Sequence, residues 1–134
     1  MDEQSVRFGT DDQYLLLVYG APIRSGWLGQ FKVLVQQGTF RAEADCWDNP
    51  ASTGGIYSLR SQIEAMSRNL TGKVEFSPLE RQLEFRMTID RKGGIEVTGV
   101  LHEYATHGAS LHFEIALDQT YLPEIISSLK ALGV

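Results

Sequence analysis

Four consecutive segments between residues 73 and 118 alternate apolar and polar side chains with a period of two. They read KVEF, LEFRMTI, IEVTGVL and LHFEIAL. Alternate residues of a β-strand point to opposite faces of the sheet, so each segment presents one apolar and one polar face. We therefore predict a four-stranded antiparallel meander with a dry face and a wet, charged face.

The turn between the second and third segments indicates the register of this meander. If Ile89 pairs with Ile95, then Asp90 faces Gly94 and the residues RKG form a three-residue loop. Gly93 then occupies the position at which a type I turn followed by a bulge needs a left-handed residue. The apolar pattern and the turn chemistry predict the same register.

Four shorter strand candidates precede the meander, and two further segments have helical periodicity. The strand candidates read SVRFG, YLLLVYG, LGQFKVLVQQG and TFRAEADCW, with a flexible, glycine-rich surface loop predicted at GAPIRSGWLG. The helical segments are GIYSLRSQIEAMSRNLTG, with Gly72 as a stop, and TYLPEIISSLKALGV. Asp118 or Thr120 can cap the second helix, whose first turn tolerates Pro123. Gly133 suits its end.

The predicted fold class is α+β, in one domain spanning residues 1–134. We expect a curved, mostly antiparallel sheet of about seven or eight strands, packed on one face by two helices. The formal net charge is −5 and the sequence pI about 5.1. An acidic chain repels phosphate backbones and attracts basic proteins, so we expect no nucleic-acid ligand.

The expected location is the cytoplasm. The N-terminus MDEQSVRFG is charged and acidic, unlike a signal peptide, and no apolar run approaches the length of a membrane span. We expect no membrane association. The sequence contains a single cysteine, Cys46, which excludes an internal disulfide framework.

Three histidines, His102, His107 and His112, raise the question of a metal site. One register of the last hairpin places His102 opposite His112, with Glu114 nearby, and such a set can bind zinc. Another register pairs His102 with Ser110 instead. We predict no metal and no cofactor.

Catalytic arrangements are not predicted either. Alternation places Cys46 on an inward face, which favours a buried structural thiol over a nucleophile. Glu43 and Asp45 are expected in solvent, where nothing separates their pKa values for acid–base work. The loop NPASTGGIYSLR could hold an anion at a helix N-terminus, but it lacks the lysine of a P-loop.

The stretch RAEADCWDNP contains the candidate partner-binding residues, which are Glu43, Asp45, Trp47 and Asp48. Alternation places Phe40, Ala42, Ala44 and Cys46 inward, and Arg41, Glu43, Asp45 and Trp47 outward. An exposed tryptophan beside carboxylates has the composition of an interface hot spot for a basic partner. Alternatively, Trp47 folds back over the sheet edge or the helix and belongs to the core.

The C-terminal part resembles a known family. LRSQIEAMSRNLTGKVEF runs from a helix into a strand, LEFRMTIDRKGGIEVTGVL forms a hairpin, and SLHFEIALDQTYLPEIISSLKAL closes the domain. This pattern, over roughly residues 27–131, resembles small immunity proteins paired with wall-associated, contact-dependent bacterial toxins, and related bacterial families. Its most specific piece is DQTYLPEIISSL, whose Asp-Gln-Thr also suits helix capping.

The resemblance implies a non-catalytic protein that binds a cognate secreted toxin domain tightly and blocks its active site. Many such toxins are nucleases, and an acidic inhibitor suits a cationic, nucleic-acid-binding cleft. The alternative is a small-molecule-binding or regulatory domain with a pocket between the sheet and the helices. Oligomeric state is not predicted.

Overall fold

The computed structural model describes residues 4–20, 29–104 and 107–133, which form eight strands and two α-helices. The strands are β1 (Gln4–Gly9), β2 (Gln13–Tyr19), β3 (Gly29–Gln37), β4 (Phe40–Asp48), β5 (Lys73–Phe76), β6 (Leu83–Ile89), β7 (Gly94–His102) and β8 (Ser110–Asp118). The helices are α1 (Ile56–Asn69) and α2 (Leu122–Ala131). The predicted α+β class is confirmed, whereas most of the predicted loop GAPIRSGWLG lies outside the described residues.

The eight strands divide into two antiparallel sheets of four. The first has the order β1-β2-β3-β4 and the second the order β5-β6-β7-β8, so every hydrogen-bonded neighbour is also a neighbour in sequence. The second sheet is the predicted meander, and its register confirms the pairing of Ile89 with Ile95. Gly93 adopts a φ of +85°, the left-handed conformation that the turn requires.

Aromatic side chains join the inner faces of the two sheets. The ring centroids of Phe8 and Phe85 lie 5.2 Å apart, and those of Phe76 and Phe85 lie 5.4 Å apart. Phe31 approaches Phe76 at 6.3 Å, so β1 and β3 of the first sheet contact β5 and β6 of the second. Helix α1 packs against β5 and α2, and α2 packs against β1. Buried residues of both sheets and both helices form one apolar cluster.

The helix ends differ in detail from the sequence prediction. Helix α1 ends at Asn69, before Gly72, because Leu70 is left-handed and its N–H bonds to the Met66 carbonyl. Before α2, the Asp118 carboxylate accepts a hydrogen bond of 2.8 Å from the Thr120 N–H and caps a short 3-10 turn. Neither described helix has the length and apolar character needed to cross a bilayer.

Glutamine side chains cover part of both edge strands of the second sheet. The amide of Gln62, on α1, donates to the Glu75 carbonyl of β5 at 3.0 Å and accepts from its N–H at 2.8 Å. On the opposite edge, Gln37 donates to the Glu114 carbonyl of β8 and accepts from its N–H. Each side-chain amide thus replaces one residue of a neighbouring strand at an edge that would otherwise be open to pairing.

Phe113→Ala should reduce the free energy of unfolding by about 3–5 kcal/mol, because a fully buried ring leaves a cavity. Phe113 is 2% exposed, whereas Phe40 is 69% exposed, so Phe40→Ala is the matched control and should cost little. Urea unfolding followed by circular dichroism measures both. A loss below about 1 kcal/mol for Phe113→Ala would contradict the burial of Phe113 in the core.

Candidate functional site

The candidate site lies on the outer face of the first sheet, where the predicted residues of β4 emerge. In the β3–β4 register, Glu43 lies opposite Leu34, Asp45 opposite Lys32 and Trp47 opposite Gln30. Glu43, Asp45 and Trp47 are exposed and alternate with Ala44 and Cys46, which are buried. The structure therefore places three of the four predicted partner-binding residues together on one face.

Trp47 points outward and is 38% exposed. The indole is therefore not enclosed in the core. A tryptophan that is partly packed against its neighbours and partly open to solvent combines a restrained ring with accessible apolar area. Such a side chain can act as a rigid anchor for a protein partner.

Cations accompany the two carboxylates on this face. The Lys32 ammonium lies 3.1 Å from a Glu43 carboxylate oxygen, and Lys32 is also the cross-strand partner of Asp45. Arg41 lies at the start of β4 on the same outward side. The expected acidic patch is thus a mixed-charge patch, and its exposed ion pair adds little stability.

Asp48, the fourth predicted partner-binding residue, does not belong to this exposed patch. Its side chain is fully buried, because alternation along β4 turns it inward like Cys46. One carboxylate oxygen of Asp48 accepts a 3.2 Å hydrogen bond from the Ile56 N–H at the start of α1. A carboxylate at a helix N-terminus satisfies a free N–H and interacts favourably with the helix dipole. The predicted anion position is therefore occupied by the chain's own side chain.

Burial alters the ionisation of the groups around Asp48. Desolvation raises the pKa of the Asp48 carboxyl from 3.8 to about 6, although the Ile56 N–H opposes the shift. Its other oxygen and the Tyr19 hydroxyl are buried without a hydrogen-bond partner. Burial, followed by the charge of Asp48, raises the pKa of Tyr19 well above its usual range. Burial also raises the pKa of the Cys46 thiol to about 12, and the predicted burial of this cysteine is confirmed.

The position of Phe40 differs from the prediction that its side chain points into the core. It has the same parity as Ala42, Ala44 and Cys46, but it is 69% exposed. Exposure falls along this inner side of β4, with Ala42 half-buried and Ala44 and Cys46 buried. The first part of β4 therefore extends beyond the core, and alternation alone could not indicate where the covering elements end.

The outer face also has an apolar centre that the sequence analysis missed. Tyr14, Leu16 and Val18 of β2, with Leu34 of β3, are partly exposed on this side, and Leu16 lies directly opposite Leu34. The length of the apolar run YLLLVY predicts a buried strand. Its unbroken apolar run instead places Leu15, Leu17 and Tyr19 in the core and the residues between them outside. Apolar and charged side chains thus share this face.

The histidines do not form the pair that a metal site would need. His102 lies opposite Ser110, and His112 lies opposite Val100, so the second of the two predicted registers is the one observed. Across residues 4–20, 29–104 and 107–133, no group of three or more potential ligands converges.

A separate open groove of about 690 Å³ lies on the wet face of the second sheet. Its charged lining residues are Glu75, Glu84, Arg86 and Glu114, with His112 and Gln37 beside them. A smaller cavity of about 390 Å³ lies where α1 meets β5. Charged walls and wide openings differ from the enclosed, mainly apolar pockets that bind most small ligands.

Comparison with known protein families gives a match over most of the chain. The model of the Immunity protein WapI-like family matches residues 6–132, which include both helices and all eight strands apart from the first two residues of β1. A search of curated proteins found no match. The matched range extends further toward the N-terminus than the resemblance at residues 27–131 and includes the whole of β4.

Asp48→Asn should change how stability depends on pH. Because the folded-state pKa is raised, the native protein binds this proton more tightly, and the free energy of unfolding falls as pH rises from about 4 to 6. A shift of this size corresponds to at most about 3 kcal/mol. Asparagine keeps an oxygen for the Ile56 N–H but does not titrate.

Urea unfolding of both proteins at several pH values between 4 and 7 tests this prediction. The stability of the wild type relative to Asp48→Asn should decrease as pH rises through this window. The difference between the unfolding free energies of the two proteins cancels the contribution of the other carboxylates. A difference that stays constant with pH would show that Asp48 has an ordinary pKa in the folded state.

Proposed function

The chain belongs to the Immunity protein WapI-like family, and we propose that it binds and neutralises a cognate secreted bacterial toxin domain without catalysis of its own. The family match over residues 6–132 is the observation that carries this proposal. We propose that the toxin meets the outer face of the first sheet at Glu43, Asp45 and Trp47. We further propose that residues 1–134 act as one domain in the cytoplasm, with no nucleic-acid or membrane ligand.

The composition of the face supports this choice of surface. Protein interfaces typically combine an apolar centre with a polar rim and an aromatic anchor. Here Leu16, Val18 and Leu34 supply the partly exposed centre, and Trp47 supplies the anchor. The charged side chains of β3 and β4 include both signs, so they favour a partner with a matching charge pattern rather than any cationic surface.

The net charge of −5 supports a basic partner in a more general way. Long-range attraction between oppositely charged proteins increases the rate of encounter, even where the final contacts are of mixed sign. A toxin that acts on nucleic acid carries a cationic cleft for the phosphate backbone. We therefore propose a basic toxin domain, with a nuclease as the leading candidate activity.

The alternative function is a small-molecule-binding or regulatory domain. It requires a pocket between the sheet and the helices, and the space at α1 and β5 is an open cavity of about 390 Å³. The groove of about 690 Å³ is larger, but it lies on the wet strand face and contains several charged side chains. These geometries and the family match favour the toxin-binding proposal.

Trp47→Ala should weaken binding by about 2 kcal/mol or more, roughly 30-fold in Kd, mainly through faster dissociation. The ligand is the purified cognate toxin domain, and surface plasmon resonance measures both rates. Tyr104→Ala is the matched control, because Tyr104 is 51% exposed and lies away from this face after β7. If Trp47→Ala lowers Tm and leaves the rates unchanged, Trp47 has a structural role only.

Reversing Glu43 and Asp45 to Lys should slow association and change its dependence on salt, because rim charges steer encounter. The expected result is a lower association rate whose decline with salt is reduced or inverted. Glu124, exposed on α2, offers a control reversal away from the face. Equal effects per reversed charge would mean that net charge, and not this face, guides the toxin.

A further inference from the structure

The outer edge of β4 is an open strand edge. Within the described residues, β4 pairs only with β3, and no other hydrogen bond involves its backbone between Phe40 and Ala44. Edge strands with free N–H and C=O groups are templates for pairing with another chain. The edge of β4 therefore differs from edges that the fold itself covers.

Each of the other three edge strands is contacted by an element from outside its own sheet. Gln62 and Gln37 bind the backbones of β5 and β8, and helix α2 packs against β1. Beside β4, the 3-10 turn Leu79–Arg81 comes close, and Glu80 contributes to the raised pKa of Cys46. This turn therefore lies near the second half of the strand and leaves the first half open.

The exposure of side chains along β4 agrees with the absence, among the described residues, of a neighbouring strand beside its first half. Phe40 and Ala42 are on the side of the sheet that faces the core, yet Phe40 is 69% exposed and Ala42 is only half-buried. Ala44 and Cys46, further along the same side, are buried. An additional strand beside the first half of β4 would cover Phe40 and Ala42 with its own inward side chains.

We infer that the open edge of β4, from Phe40 to Asp45, receives an extended strand of the toxin domain, with basic side chains opposite Glu43 and Asp45. This inference rests on the proposed function and specifies how the partner docks. Strand addition provides affinity through main-chain hydrogen bonds and specificity through alternate side chains. On the outer side, the cross-strand neighbours of the added strand would be Arg41, Glu43 and Asp45. The added strand would therefore need an acidic side chain opposite Arg41 and basic side chains opposite Glu43 and Asp45.

Hydrogen exchange measured by NMR tests strand addition directly. In the free protein, the β4 amides that point away from β3 should exchange quickly, because no acceptor holds them. In complex with the toxin domain, alternate amides between Phe40 and Asp45 should exchange at least about tenfold more slowly. The Glu114 amide, which already bonds to Gln37, is the internal control and should not change.

A peptide probe separates this inference from the proposed function. The hexapeptide Lys-Val-Lys-Val-Glu-Val, aligned antiparallel, places its two lysines opposite Asp45 and Glu43 and its glutamate opposite Arg41. It should protect the same β4 amides at millimolar concentration. The charge-swapped peptide Glu-Val-Glu-Val-Lys-Val has the same length and apolar content and should not protect them.

A pair of variants adds a test that does not depend on exchange rates. Ala42→Lys puts a charged chain on the half-buried inner side of the open edge and should weaken toxin binding at least about tenfold, since edge lysines oppose strand pairing. Ala116→Lys makes the same change at an exposed position on β8 and should leave binding unchanged. Thermal unfolding checks that both variants fold.

The outcomes are distinguishable. If the toxin domain binds and Trp47 matters, but the β4 amides remain unprotected, strand addition is wrong and the proposed function stands. If no toxin complex forms, the proposed function fails and the peptides alone decide whether the edge accepts a basic strand. Protection that increases with the concentration of this chain alone would identify a second copy as the occupant and overturn the inference.

Discussion

The rest of the structure depends on the contact between the inner faces of the two sheets. Phe8, Phe31, Phe76 and Phe85 form a chain of ring contacts from β1 and β3 to β5 and β6. Without this contact, each four-stranded sheet would expose an apolar face to water, at a cost that hydrogen bonding within the sheet does not offset. The same contact determines which side of each strand is the outer one.

The position of the candidate site follows from which side of each strand faces the core. The row Tyr19, Phe31 and Cys46 points into the core, so Trp47, one residue further along β4, must point out. Asp48 then turns inward again and reaches the first N–H of α1. A single strand thus presents Trp47 on one side and holds a helix on the other, so a change at Asp48 acts on the candidate site only through the fold.

The edge strands of the second sheet are partly covered by glutamine side chains, whereas the first half of β4 is not, in the part of the chain that the structure describes. Gln37 and Gln62 satisfy backbone groups at opposite edges of the second sheet with the same two-bond geometry. Such covering costs side-chain entropy, and it prevents unwanted pairing with other chains. The first half of β4 has no equivalent cover within the described residues, which is consistent with an edge reserved for a partner.

The sequence by itself determined the local structure of this protein, because strand alternation and turn chemistry depend on neighbours a few residues away. It predicted the meander, the turn at Gly93, the strand candidates and the outward direction of Trp47, and the family resemblance was confirmed by the family match. Only the tertiary structure decided how eight strands divide into two sheets, that Phe40 extends beyond the core, and that Lys32 pairs with Glu43. It also decided that the Asp48 carboxylate is buried against α1. These features depend on elements far apart in the chain, and alternation specifies a side of a strand but not what covers it.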